Sequence, residues 1–153
     1  MNRSDEHVKR MQNFLEQVVS PDAEYPEIVV HEAVEALGNL SHEKTESLLS
    51  SGKIHHAANE MVLETCFLAK ELLKWRQETN NGETEGLKFS GLKFKTNDPA
   101  PPFSIYGNAE TAAKCTIPYL QDILLKHDNL FERYRALFTL RELNTKESMI
   151  GIC

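Results

Sequence analysis

The residues best suited to chemistry are His31 and Glu32, side by side in the stretch PEIVVHEAVEALGNL, residues 26–40. An imidazole nitrogen beside a carboxylate suits a non-haem metal that keeps coordination positions open, iron above all, whereas a closed thiolate set would suit structural zinc. Cys66, Cys115 and Cys153 have no metal-type spacing. Adjacent residues on a helix diverge by about 100°, so His31 and Glu32 can flank one groove beside a neighbouring helix. Two ligands do not hold a metal by themselves, and a plainer reading stays open: a packed or surface histidine beside a solvated or capping acid. Chance weakens the dipeptide further, since the chain has 6 histidines and 23 acidic residues and repeats the pair at His42-Glu43. That second pair follows a Gly38–Ser41 break and reads as a helix start, with Ser41 as N-cap and Glu43 and Glu46 complementing the helix dipole. His55-His56 reads as loop.

These residues need helices to position them. Val8, Met11, Leu15 and Val18 recur at helical intervals and predict an amphipathic helix over residues 5–19, ending before Pro21. A second helix, from about Glu27 to Leu40, is expected to bury Ile28, Val34, Leu37 and Leu40, with Gly38-Asn39 loosening its end. A short segment, 43–50, and a longer one, about 57–77 with Trp75 at its apolar end, make a second pair. Residues 78–104 are rich in Asn, Gly, Thr and Pro, lack helical period and read as a linker. The linker holds a small tandem, GLKFS then GLKFK, expected to dock along a neighbouring helix rather than pair as extended chain. A last pair covers about 116–126 and 129–143. Its charged set, Glu132, Arg133, Arg135, Arg141 and Glu142, is expected to form salt bridges between repeats.

The helices repeat. Laying His31-Glu32-Ala33 over Glu64-Thr65-Cys66 aligns Ala36 with Ala69 and Leu40 with Leu73; laying the same helix over the last one aligns Ala33 with Ala136, Leu37 with Leu140 and Leu40 with Leu143. Small residues at such positions let helices approach closely, while the leucines fill the layer between them. The predicted fold is therefore all-α, with HEAT-like helical-hairpin repeats forming an α-solenoid. Its expected parts are N-terminal repeats over 1–77 with one His-Glu motif, a Pro/Gly/Asn-rich linker over 78–104, and the start of a second, incomplete half over 105–153.

Composition bounds the function. A chain of 153 residues, 41% hydrophobic, can bury a core, and a net charge of −6 with no basic run argues against nucleic acid as a partner. Few cysteines, no apolar leader in MNRSDEHVKR and no apolar run near the roughly 18 residues that span a bilayer point to a reduced, cytoplasmic protein without membrane contact.

Four pieces, VVHEAVEALGNL (29–40), ETCFLAKELLKW (64–75), DPAPP (98–102) and LFERYRALFTLR (130–141), resemble in order the deoxyhypusine hydroxylases. These are HEAT-repeat enzymes that complete hypusine on a translation factor, and the resemblance covers most of residues 24–143. It implies a helical superhelix in two halves, whose His-Glu motifs hold two irons that activate dioxygen to hydroxylate the long cationic side chain of deoxyhypusine. His31 and Glu32 match the motif that closes the first half, so both would be iron ligands, and no other residue inherits a catalytic role. The family has four such motifs, two per half. One repeat before His31 precedes Met1; Tyr134 and Arg135 take the repeat position of the pair in the last helix, and one repeat further passes Cys153. The resemblance thus implies the middle portion of the enzyme, a fragment with a partial iron site, inactive as an isolated chain. Val30 also stands where the family usually has arginine.

Two other readings compete. One is a non-catalytic HEAT-repeat scaffold that binds a protein partner, which the translation factor itself would fit. The other is a symmetric dimer that pairs two copies of the His31-Glu32 helix at a two-fold axis.

Overall fold

A computed structural model describes residues 3–40, 42, 44–94, 98–105 and 115–152. Ser41 and Glu43, expected to open a helix, and Cys153 lie outside the described residues. Among those described there are seven α-helices and no strands: α1 Arg3–Val18, α2 Glu27–Leu40, α3 Thr45–Ser50, α4 Glu60–Thr79, α5 Ile117–Lys126, α6 Leu130–Leu143 and α7 Lys146–Ile150, with a 3-10 turn at Phe89–Gly91. The all-helical class is as the periodicity predicts. The chain forms two compact units, Met1–Leu73 and Lys74–Cys153, and the boundary falls within α4.

In the first unit, α2 begins with Glu27, whose carboxylate favours the positive end of the helix dipole. The α4 start is fixed by Asn59, whose side-chain oxygen accepts from the Met61 and Val62 backbone N–H groups at 3.0 and 3.4 Å. The helices meet over Val18, Val19, Val30, Val34, Leu37, Leu49, Ile54, Val62, Ala69 and Leu73. Two expected core residues face outward instead: Met11 is 53% exposed and Ile28 54%. On α2 the apolar stripe runs through Val30, Val34 and Leu37, and Ile28, two positions before Val30, points to the far side. On α1 the inward position next to Met11 belongs to Gln12, which is buried because its amide is satisfied: it accepts from Thr45 Oγ1 at 3.3 Å and donates to Glu16 at 2.9 Å.

Gly38 also departs from expectation. It does not loosen the helix, which continues through Leu40. A Cβ at this position would lie 2.9 Å from Ala69 Cβ and 3.2 Å from Ala69 Cα, so α2 and α4 approach as closely as glycine allows. Buried Ala33, Cys66 and Ala69 continue the small-residue seam that the repeat register brings out.

In the second unit, α5 and α6 form a helical hairpin over a core of Leu120, Ala136 and Leu140. Asn129 caps α6 by accepting from Phe131 N at 2.8 Å, and a reciprocal Thr145–Ser148 capping box starts α7. The segment after α4 turns through Asn80, Asn81 and Gly82, all at positive φ. The second copy of its tandem docks on α6, while Phe89 of the first lies edge-on to Trp75 of α4. Leu87 and Leu92 are buried, and the Lys93 and Phe94 backbone N–H groups donate to the Glu142 carboxylate at 2.8 and 2.9 Å. Further along, Phe103 N donates to Thr139 Oγ1 at 2.8 Å.

The α6 charges therefore do something other than bridge repeats. Arg135, 4% exposed, pairs with Glu85, donates to the Pro101 carbonyl at 3.2 Å, and lies against the Trp75 and Phe103 rings. Trp75 in turn donates its indole N–H to Glu85 at 3.1 Å. A buried guanidinium requires this many partners, and the linker supplies three of them, Glu85, Pro101 and Phe103.

Candidate metal centre

The first two turns of α2 decide where the site residues point. With Val30, Ala33 and Val34 buried on α2, His31 sits at the edge of the packed face and Glu32 beyond it in solvent. The side chains of His31 and Glu32 are 26% and 69% exposed. His31 Nε2 lies 3.9 Å from Glu32 Oε1 and 3.8 Å from Glu35 Oε2. These separations are too long for hydrogen bonds, so the imidazole nitrogen faces two carboxylates, that of Glu32 in solvent and that of Glu35 partly buried.

The other ring nitrogen is held by α4. His31 Nδ1 is 2.5 Å from Thr65 Oγ1, and that hydroxyl lies 2.7 Å from the Met61 carbonyl oxygen one turn earlier. Thr65 is buried. Nothing in its residue type marks it for a role, although the repeat register sets Thr65 directly over Glu32. That alignment was the available signal that α4 presents this residue beside the pair.

One nitrogen and one carboxylate, half-exposed on a rigid helix, fit one side of an iron centre by donor chemistry. The far side is not supplied here: among the described residues no group of three or more His, Cys, Asp or Glu is placed to hold a metal ion. Cys66, one residue after Thr65, offers no thiolate, because burial pushes its thiol up against a smaller opposing effect of Lys70.

The remaining histidines do not join the pair. His42 Nδ1 accepts from the Lys44 backbone N–H at 3.4 Å. The His55 and His56 rings lie 3.9 Å apart in the loop before α4; His56 Nε2 bonds to the Tyr25 carbonyl at 3.0 Å, and His55 N donates to Val19 O at 2.8 Å. Both anchor the loop. On α6, the repeat counterparts of the pair are Tyr134 and the ion-paired Arg135, so that helix spends the equivalent positions on packing.

No family model matches the chain. Among curated proteins it is 37% identical over 131 residues to deoxyhypusine hydroxylase of Aspergillus fumigatus, covering 85% of this chain and 36% of that protein. It is 42% identical over 118 residues to that of Phaeosphaeria nodorum, covering 75% and 33%. With the Drosophila melanogaster enzyme it shares 30% over 141 residues, covering 92% and 41%. Among solved structures it is similar to human deoxyhypusine hydroxylase in complex with glycerol, with a TM-score of 0.65 and 27% identity over 96% of this chain and 44% of the human one. The chain thus spans between about a third and two-fifths of the length of these curated relatives.

Proposed function

We infer that this chain, a homologue of the deoxyhypusine hydroxylases over most of its length, carries one His-Glu corner of an iron centre of that type. The observation behind this reading is the pair itself. In a segment homologous to those enzymes, His31 Nε2 and the Glu32 carboxylate open to one side of a helix whose opposite face is locked into the core. His31 Nε2 and Glu32 would hold the metal. Iron, when bound, supplies the activation of dioxygen. The reaction served is O2-dependent hydroxylation of a peptidyl deoxyhypusine to hypusine on a cytoplasmic translation factor, the protein partner of this reading. A net charge of −6 also suits a long cationic side chain electrostatically.

Two ligands on one helix cannot hold two irons, so the isolated chain is expected to be inactive. Its competence is tested in context, by replacing the homologous segment of a full-length deoxyhypusine hydroxylase with residues 24–143 of this chain. The chimera is expected to hydroxylate deoxyhypusine-bearing factor and to lose that activity on His31→Ala. Undiminished activity of the His31→Ala chimera would contradict the reading.

One observation favours a second reading: among the described residues no group of three or more His, Cys, Asp or Glu is placed to hold a metal ion, which fits a non-catalytic HEAT-repeat scaffold. On that reading the isolated chain binds the translation factor, and His31→Ala with Glu32→Ala leaves the binding unchanged.

A further inference from the structure

The Thr65 hydroxyl has one proton and two short contacts, 2.5 Å to His31 Nδ1 and 2.7 Å to the Met61 carbonyl oxygen. A carbonyl only accepts, so the contact to Met61 holds a proton only if Thr65 donates it. The contact to His31 must then run the other way, from Nδ1–H into a hydroxyl lone pair. The opposite assignment, with Thr65 donating to Nδ1, leaves two oxygen atoms 2.7 Å apart with no proton between them. Burial of Thr65 limits rescue of that arrangement by solvent.

We propose that Thr65 is a positioning residue which, with its own proton committed to the backbone of α4, fixes neutral His31 as the Nδ1–H tautomer and leaves the Nε2 lone pair facing Glu32 and Glu35. Two further features make this a built relay. The donated proton stays within one helical turn, from Thr65 to Met61, so the acceptor direction of the hydroxyl is set by the helix itself. In addition, α4 is held against α2 by the Gly38–Ala69 approach, which fixes the distance between the ring and the hydroxyl. A ligating histidine depends on such a partner on its second nitrogen, since the partner sets the tautomer and the ring orientation. The partner here is a threonine rather than a carboxylate. It orients the ring without adding negative charge behind it, so a metal held at Nε2 would meet a neutral imidazole.

The proposal deepens the metal-site reading and rests on it for its purpose, but the tautomer itself is measurable without any metal. In the metal-free, histidine-labelled full chain, nitrogen-15 spectra above the imidazolium range are expected to show His31 predominantly as the Nδ1–H form. Free histidine prefers the opposite form, so this outcome is specific. Thr65→Val, nearly isosteric, should abolish the preference, and Thr65→Ser should restore it. Wild-type His31 in the Nε2–H form, or a Thr65→Val spectrum unchanged from wild type, would overturn the proposal. The wild-type measurement decides even if the valine variant does not fold. An absence of iron(II) binding alongside an Nδ1–H histidine would count against the proposed function and leave this inference standing.

Discussion

At the scale of single residues, burial decides which groups near the site are reactive. His31 keeps one nitrogen toward solvent, whereas Cys66, two turns from the α4 start, is enclosed and its thiol is pushed up. Two outcomes follow for that thiol. Alkylation of Cys66 by iodoacetamide at neutral pH should be at least about tenfold slower in the folded chain than in urea, read by mass spectrometry of the 64–71 region. Stability should also fall as pH rises past roughly 8.5, where an unfolded thiol ionises: the unfolded chain then loses its proton first, so the folded state binds more protons and is disfavoured. A Cys66→Ala variant should lack the part of that loss due to this thiol.

At the scale of elements, the α2–α4 seam sets the site. Gly38→Ala places a methyl 2.9 Å from Ala69 Cβ, so the helices must separate. Overpacking of this kind costs about 1–3 kcal/mol, against roughly 1 kcal/mol regained from helix propensity. A net loss of about 1 kcal/mol is expected in urea titrations, and Ala69→Gly in the same chain should recover part of it. A fully neutral Gly38→Ala would mean that the seam is looser than this geometry.

The seam also marks how far sequence reading reached. The small residues Ala33, Cys66 and Ala69 were legible because the repeat register aligned them, but Gly38 was read as helix punctuation, since local propensity does not record a neighbouring helix. Met11 and Ile28 face outward for a related reason: apolar spacing locates the helices but not their rotation, which burial of Gln12 through its bond to Thr45 sets on α1 and the Val30–Val34–Leu37 stripe sets on α2. The repeat register places Thr65 beside the pair but gives it no role, because what a hydroxyl does depends on what lies across the groove. The linker's lack of period was plain. Its anchoring on Glu142 and Arg135 was not, because the partners of those charges lie some fifty residues away in the chain.

At the scale of the molecule, the chain combines two helical units with one His-Glu pair, and it is homologous to the deoxyhypusine hydroxylases over 75–92% of its own length. The central claim is that His31 and Glu32, rather than any other histidine-acid set, form a metal-binding corner. The most direct measurement is an anaerobic iron(II) titration of the isotope-labelled chain, following paramagnetic line broadening residue by residue. Broadening centred on residues 28–35 of α2 and 61–65 of α4, and abolished by His31→Ala, is the predicted result. Broadening centred on His42 or on His55 and His56, or unchanged by His31→Ala, would contradict the account.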